Sequence, residues 1–212
     1  MKHGLIIFDM DGTLIDSSAA MTQSVNYVRA RIGLPPIDQK MLEYHINQPD
    51  HHLPKIFYNT DEYDPQHRAW FKEHYLEHVH TMIALYPDIA EMLKSVYDTA
   101  HLAIATNASD FFARHMLEHM KIDHYFSAIV GSNNVAEPKP SPLMIQHLMD
   151  SFSLKTDHTV LVGDSLKDEQ AALNAGIDFF FVEWGYGSTS AQKTTKVQTV
   201  NELQNALQKR FI

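Results

Sequence analysis

The chain contains no cysteine. Disulfide cross-links, thiolate catalysis and cysteine-ligated zinc are therefore excluded, and a cytoplasmic setting fits. Positive charge is also scarce, with 17 lysines and arginines against 26 aspartates and glutamates, a formal net charge of −9. A general nucleic-acid binder neutralises phosphates with a basic face, so no nucleic-acid partner is expected. Small phosphorylated molecules stay admissible, because one metal ion, lysine or helix N-terminus gives them a local positive site. Long apolar runs are missing as well. The opening Met1-Lys2-His3-Gly4 leads straight into Leu5 to Phe8, far shorter than a signal-peptide core or a membrane span, so neither export nor a membrane partner is expected.

What is present suits a soluble enzyme. A chain of 212 residues, 44% hydrophobic and 20% charged, buries an ample core and has room for one domain and an insertion. Fourteen histidines stand out. Two segments, His74-Tyr75-Leu76-Glu77-His78 and His115-Met116-Leu117-Glu118-His119, match the H-x-x-E-H zinc pattern. A short pattern met twice in a histidine-rich chain reads as solvated helix faces with incidental metal adhesion rather than as a zinc peptidase.

Five short apolar runs have strand character: Leu5 to Phe8, His101 to Thr106, Ser127 to Gly131, Thr159 to Gly163 and Phe179 to Glu183. Helical stretches fall between them, at about Asp88 to Tyr97, Asp110 to Met120, Pro142 to Phe152 and Leu166 to Ala175, with Gly176 as the residue that closes the last. Alternation of this kind predicts an α/β fold, a doubly wound parallel sheet covered by helices on both faces. Residues 17–84 break the rhythm. They read as several helices interrupted by Pro35-Pro36, Pro49, Pro54 and Pro65, hence as an inserted helical domain on a core made of 1–16 and 85–212, placed as a lid beside the strand ends. The polar, threonine-rich Thr189 to Thr199 is expected to be an exposed loop before a last helix, about Val200 to Arg210.

The polar clusters follow the strands. Asp9 and Asp11, one residue apart, end the first run and precede Gly12-Thr13. Side chains two apart on a strand point the same way, their charges repel, and a divalent cation such as Mg²⁺ removes that penalty. A capped turn is the other reading of the same residues. Thr106-Asn107 follow the second run and serve equally as a helix N-cap. Lys139 lies among three prolines in Glu137-Pro138-Lys139-Pro140-Ser141-Pro142, and Asp164 and Asp168 flank the start of a helix, where acids also suit the helix dipole.

Taken in order, Phe8-Asp9-Met10-Asp11-Gly12-Thr13-Leu14, Thr106-Asn107, Lys139 and Gly163-Asp164-Ser165-Leu166-Lys167-Asp168 resemble the motifs of the haloacid dehalogenase superfamily along essentially the whole chain. The resemblance implies a Rossmann-like core with a helical cap, and a phosphatase. It makes Asp9 the nucleophile that forms an aspartyl-phosphate and Asp11 the acid that protonates the leaving oxygen and later activates water. It surrounds the phosphate with Gly12, Thr13, Thr106, Asn107 and Lys139. It gives Mg²⁺ to Asp9, Asp164 and the Asp11 backbone carbonyl, with Asp168 orienting Lys139 or a metal-bound water. Asp11 speaks against the dehalogenase branch.

An insertion directly after the first motif resembles the phosphoglycolate phosphatase and β-phosphoglucomutase group, which implies a small phosphorylated metabolite as substrate. Hydrolysis is the default. A mutase-like phosphotransferase is the alternative, and a receiver-like phosphorylation module is the non-enzymatic one. In the insertion, Asn47-Gln48-Pro49-Asp50-His51-His52 is expected to face the cleft, with Gln48 and His51 reading the substrate. A monomer or a homodimer is expected.

Overall fold

The computed structural model describes residues 2–188 and 194–211. Its elements, in chain order, are β1 (Leu5–Phe8), β2 (Ile15–Asp16), α1 (Ser18–Arg31), α2 (Gln39–Ile46), α3 (Leu53–Tyr58), α4 (Pro65–His78), β3 (Ala84–Leu85), α5 (Ile89–Val96), β4 (His101–Ala105), α6 (Asp110–His119), β5 (Ala128–Val130), α7 (Leu143–Phe152), β6 (Thr159–Gly163), α8 (Leu166–Ala175), β7 (Asp178–Val182), β8 (Thr195–Val197) and α9 (Val200–Phe211). Six strands form one sheet in the order β5-β4-β1-β6-β7-β8, with every pairing parallel.

The continuous apolar runs follow from burial on both faces. Along β1, Ile6 and Phe8 enter one core with residues of α5, α6 and α9, while Leu5 and Ile7 enter another with residues of α7 and α8. A strand with two apolar faces cannot alternate with polar residues, and helices must cover each side. The fold class is therefore the doubly wound α/β sheet expected from the sequence. Strand β1 lies between β4 and β6. The chain proceeds from it to β4 and β5 on one side and then returns to β6, β7 and β8 on the other. Ligands bind where such an order reverses, beyond the C-terminal ends of the strands.

The four expected strands after β1 and the five helices given bounds recur within two residues of their sequence bounds, and α8 ends at Gly176 with a φ of 72°. The expected loop 189–199 is corrected in part. Residues 189–193 lie outside the described residues, but Thr195–Val197 pairs with β7 as an edge strand. Only Val197 of its three residues is buried, so an edge strand of this kind shows no apolar run to a sequence reading. The two-residue strands β2 and β3 were likewise too short to announce themselves. They pair antiparallel, Ile15 with Leu85 and Asp16 with Ala84, and close the root of the helical insertion.

Helices α1 to α3 gather a small core of Val25, Val28, Ile37, Leu42, Phe57 and Tyr58. The proline-broken turn after α1 is fixed by side chains. Asn26 and the backbone of Ile37 exchange two hydrogen bonds of 2.9 Å, and the buried Arg29 donates to the carbonyls of Pro35, at 2.7 Å, and Phe57, at 2.5 Å. Helices α2 and α4 start at aspartates that accept from their own first turns, Asp38 from the Met41 amide and Asp64 from the Gln66 amide, each at 2.7 Å. The insertion also shares the main core through Ala20, Tyr75, Val79 and Ile83. Among the described residues no helix is long and apolar enough to cross a membrane.

Candidate active site

Asp9 leaves β1 with its amide still in the ladder, bonded to the Val162 carbonyl at 2.8 Å. The chain then turns sharply, the amides of Leu14 and Ile15 both reaching the Met10 carbonyl, at 2.9 and 3.0 Å. Gly12 makes this turn at a φ of 83°, and a Cβ there would collide with the carboxylate oxygen Oδ2 of Asp164. Only glycine meets both demands. The turn carries Asp11 away from Asp9 to accept a very short hydrogen bond from Ser17 Oγ.

Lys139 comes from the loop between β5 and α7. Its Nζ lies 2.6 Å from Asp9 Oδ1 and 2.6 Å from Asp168 Oδ1, so the ammonium bridges two acids from different strand ends. Asn107 clamps the backbone of that lysine, donating from Nδ2 to the Lys139 carbonyl at 2.8 Å and accepting its amide at 2.9 Å. The Asn107 side chain thus sets the position of Lys139. Thr106 is buried beside it and accepts the Ala108 amide at 3.1 Å.

Asp164 and Asp168 are both fully buried and differ in how they are held. Ser165 donates to Asp168 Oδ2 from its amide at 3.2 Å and from its hydroxyl at 2.5 Å, so with Lys139 on Oδ1 both oxygens of Asp168 are occupied. Asp164 accepts on Oδ2 from the amides of Tyr186, at 2.8 Å, and Gly187, at 3.1 Å. Its Oδ1 is buried without a hydrogen-bond partner among the described residues, as is the hydroxyl of Thr13. Oxygens of Asp9, Asp164 and Asp168 all lie within 4.8 Å of one another, and among the described residues this is the one group with metal-ligand geometry. The two H-x-x-E-H segments stay apart from it. His74 and His78 stack at 4.2 Å on α4, while His115 and His119 pack around His80 at 4.5 and 4.3 Å.

A family model described as haloacid dehalogenase-like hydrolase matches residues 6–182. The chain belongs to that family. It is 32% identical over 192 residues to a phosphoglycolate phosphatase of Aliivibrio fischeri, covering 86% of this chain and 85% of the relative. It is 31% identical over 194 residues to a 5'-nucleotidase of Pseudomonas aeruginosa, covering 89% and 86%. Among solved structures, a predicted phosphatase from Clostridium acetobutylicum superposes with a TM-score of 0.80 at 26% identity, over 99% of this chain and all (100%) of that one.

In this haloacid dehalogenase-like hydrolase the acids are in electrostatic conflict. Burial pushes the Asp9 carboxyl well above the usual aspartate range; Lys139 opposes this, and Asp168 and Asp164 add to it. Burial, with the charge of Asp168, pushes Asp164 up to about 7 against the pull of the Tyr186 and Gly187 amides. Burial also raises Asp11, opposed by the Ser17 hydroxyl and Lys139. Desolvation works to discharge Lys139, but Asp168 and Asp9 outweigh it and hold the ammonium above its ordinary pKa. Three buried acids around one lysine, with one carboxylate oxygen left open, fit a hard divalent cation bound through oxygen.

Three residues that hold these acids were given no role from the sequence: Ser17, Ser165 and Tyr186. Nothing local to Gly185-Tyr186-Gly187 says that its amides hold Asp164 or that Tyr186 Oη accepts the Ser17 amide at 2.6 Å, 169 residues away. In the insertion, Gln48 lines a cleft of about 210 Å³ between Lys40, Glu43 and Asn47 of the α2 region and the Tyr186 to Ser188 turn. His51 is not among the residues lining that cleft. Its Nδ1 sits 2.9 Å from His45 Nδ1 and its ring packs against Tyr44.

Proposed function

We propose that this hydrolase is a magnesium-dependent phosphatase that moves the phosphoryl group of a small phosphomonoester first to Asp9 and then to water. The observation that carries the reading is Lys139 held between Asp9 and Asp168 beside the open oxygen of Asp164. In the first step Asp9 attacks phosphorus while Asp11, whose carboxyl burial pushes above the usual aspartate range, protonates the departing ester oxygen. The products are the alcohol and an aspartyl-phosphate. In the second, Asp11 takes a proton from water, the water oxygen attacks phosphorus, and Asp9 leaves as a carboxylate with release of inorganic phosphate.

The ammonium of Lys139 offsets charge on the transferring group, and Asp168 and Asn107 hold it there. Thr13, Thr106, Gly12 and the Asn107 amide surround the phosphate oxygens. Asp9, Asp164 and the Asp11 carbonyl would hold Mg²⁺, whose charge lets two carboxylates stay ionised beside an anionic ester. Residues 17–84 act as the lid domain, with Gln48 reading the substrate. A compact ester, of the kind named for the phosphoglycolate phosphatase relative, is the proposed substrate class.

Phosphate release is measured over a panel holding 2-phosphoglycolate, sugar phosphates and nucleoside monophosphates, with Mg²⁺, with chelator, and with Asp9→Asn. Turnover that needs Mg²⁺ and drops at least about 10³-fold in the variant is expected. Full activity in chelator or in Asp9→Asn sinks the mechanism. A nucleotide preferred over every compact ester sinks the assignment of substrate size.

A further inference from the structure

Asp168 turns from α8 into the acid cluster, and the residue before it reaches the other way. Lys167 Nζ donates to the carbonyl oxygen of Ile46 at 2.5 Å, across 121 residues of sequence. Ile46 is the last residue of α2. Its carbonyl is one of the acceptors a helix leaves unpaired at its C-terminal end, where the backbone dipole also favours a cation. Lys167 is part-buried in this contact, and burial lowers its pKa. Desolvating an ammonium costs free energy, and hydrogen bonds to charged groups are among the stronger ones.

The two residues that follow Ile46 are Asn47 and Gln48, which face Tyr186 and Gly187 across the cleft. On the core side, the residue after Lys167 is Asp168, which grips Lys139, which grips Asp9. Lys167 therefore joins the edge of the cleft that reads substrate to the helical turn that sets the nucleophile, through two covalent neighbours and one hydrogen bond.

We propose that Lys167 is a positioning residue that holds the C-terminal end of α2 in register with the acid cluster, so that Asn47 and Gln48 meet the part of the ester remote from phosphorus. This rests on the phosphatase reading of the same site. An ester that makes no use of those contacts should be indifferent to it, and an ester that does should bind worse without it.

The test compares wild type, Lys167→Met and Lys167→Arg on the best ester of the panel and on para-nitrophenyl phosphate, together with hydrogen exchange of the backbone amides of residues 47–52. In Lys167→Met the KM for the panel ester rises about ten- to a hundredfold, the loss expected for one charged hydrogen bond, while kcat/KM for para-nitrophenyl phosphate stays within about threefold. Amides 47–52 exchange faster. Lys167→Arg, which keeps a cationic donor, recovers most of the KM. An unchanged KM, equal losses on both esters, or unaltered exchange at 47–52 overturns the inference. If wild type hydrolyses neither ester with Mg²⁺, the phosphatase reading fails, and the exchange measurement still decides whether Lys167 holds α2.

Discussion

At the scale of single residues, the site is built against its own stability. Asp164 titrates near 7 in the fold instead of the ordinary 3.8, so folding takes up a proton between those values. Its contribution is favourable below about pH 4 and is lost as pH rises towards 7. The metal-free protein should therefore melt at lower temperature at pH 8 than at pH 5, and stabilisation by Mg²⁺ should grow across the same window. Asp164→Asn keeps an acceptor for the Tyr186 and Gly187 amides while removing the charge. It should raise the melting temperature of the metal-free protein at pH 8, shrink the Mg²⁺ shift and abolish phosphatase activity. Scanning calorimetry at both pH values reads this, and an undiminished Mg²⁺ shift in the variant would refute it. Gly12→Ala adds a Cβ at positive φ against the Asp164 carboxylate; a loss of about 1–3 kcal/mol is expected from denaturant unfolding, with activity falling in parallel.

At the scale of elements, the start of α1 shows why some functional residues were not legible. Ser17 occupies the N-cap position but makes no capping hydrogen bond of its own, since its hydroxyl is committed to Asp11. The orphan amides of Ser17 and Ser18 donate to Tyr186 Oη instead, at 2.6 and 3.1 Å. A phenol from the loop after β7 caps the first helix of the insertion, and the residue that would have capped it is free to hold Asp11. Tyr186→Phe strips the Ser17 amide of its acceptor, while the Ser18 amide keeps Asp16 Oδ1 at 3.3 Å, and should cost about 1–3 kcal/mol in denaturant unfolding. It should also shift the pH dependence of kcat, because the Ser17 contact on Asp11 loosens with the helix start. A variant with wild-type stability and pH profile would show the cap to be incidental. The longer elements of the sheet core, by contrast, were readable from β1 to α9, since each buries an apolar face that its own period records, whereas 17–84 was readable only as several helices. Strands β2, β3 and β8 carry too few buried residues to do so.

For the molecule as a whole, the insertion has its own small core and also packs into the main one. Tyr75 of α4 is buried in the main core, where its hydroxyl lies 3.3 Å from Met116 Sδ of α6 and its ring meets Phe112 edge-on. Tyr75→Ala should therefore lower one cooperative unfolding transition by about 3–5 kcal/mol, as for other large aromatics removed from a core, rather than melt the insertion alone. Two resolved transitions would show the opposite. The sequence by itself determined the α/β class and the helical insertion, and it marked Asp9, Asp11, Thr106 and Asp164 as polar residues that follow their strands, because burial and turn chemistry leave their marks within a few residues. Only the tertiary structure decided that Asn107 clamps Lys139, that Tyr186 serves both Asp164 and α1, that His51 meets His45 and that Lys167 reaches Ile46. Those are contacts between surfaces brought together by the winding of the sheet, and local periodicity carries no information about which distant surface a side chain will meet.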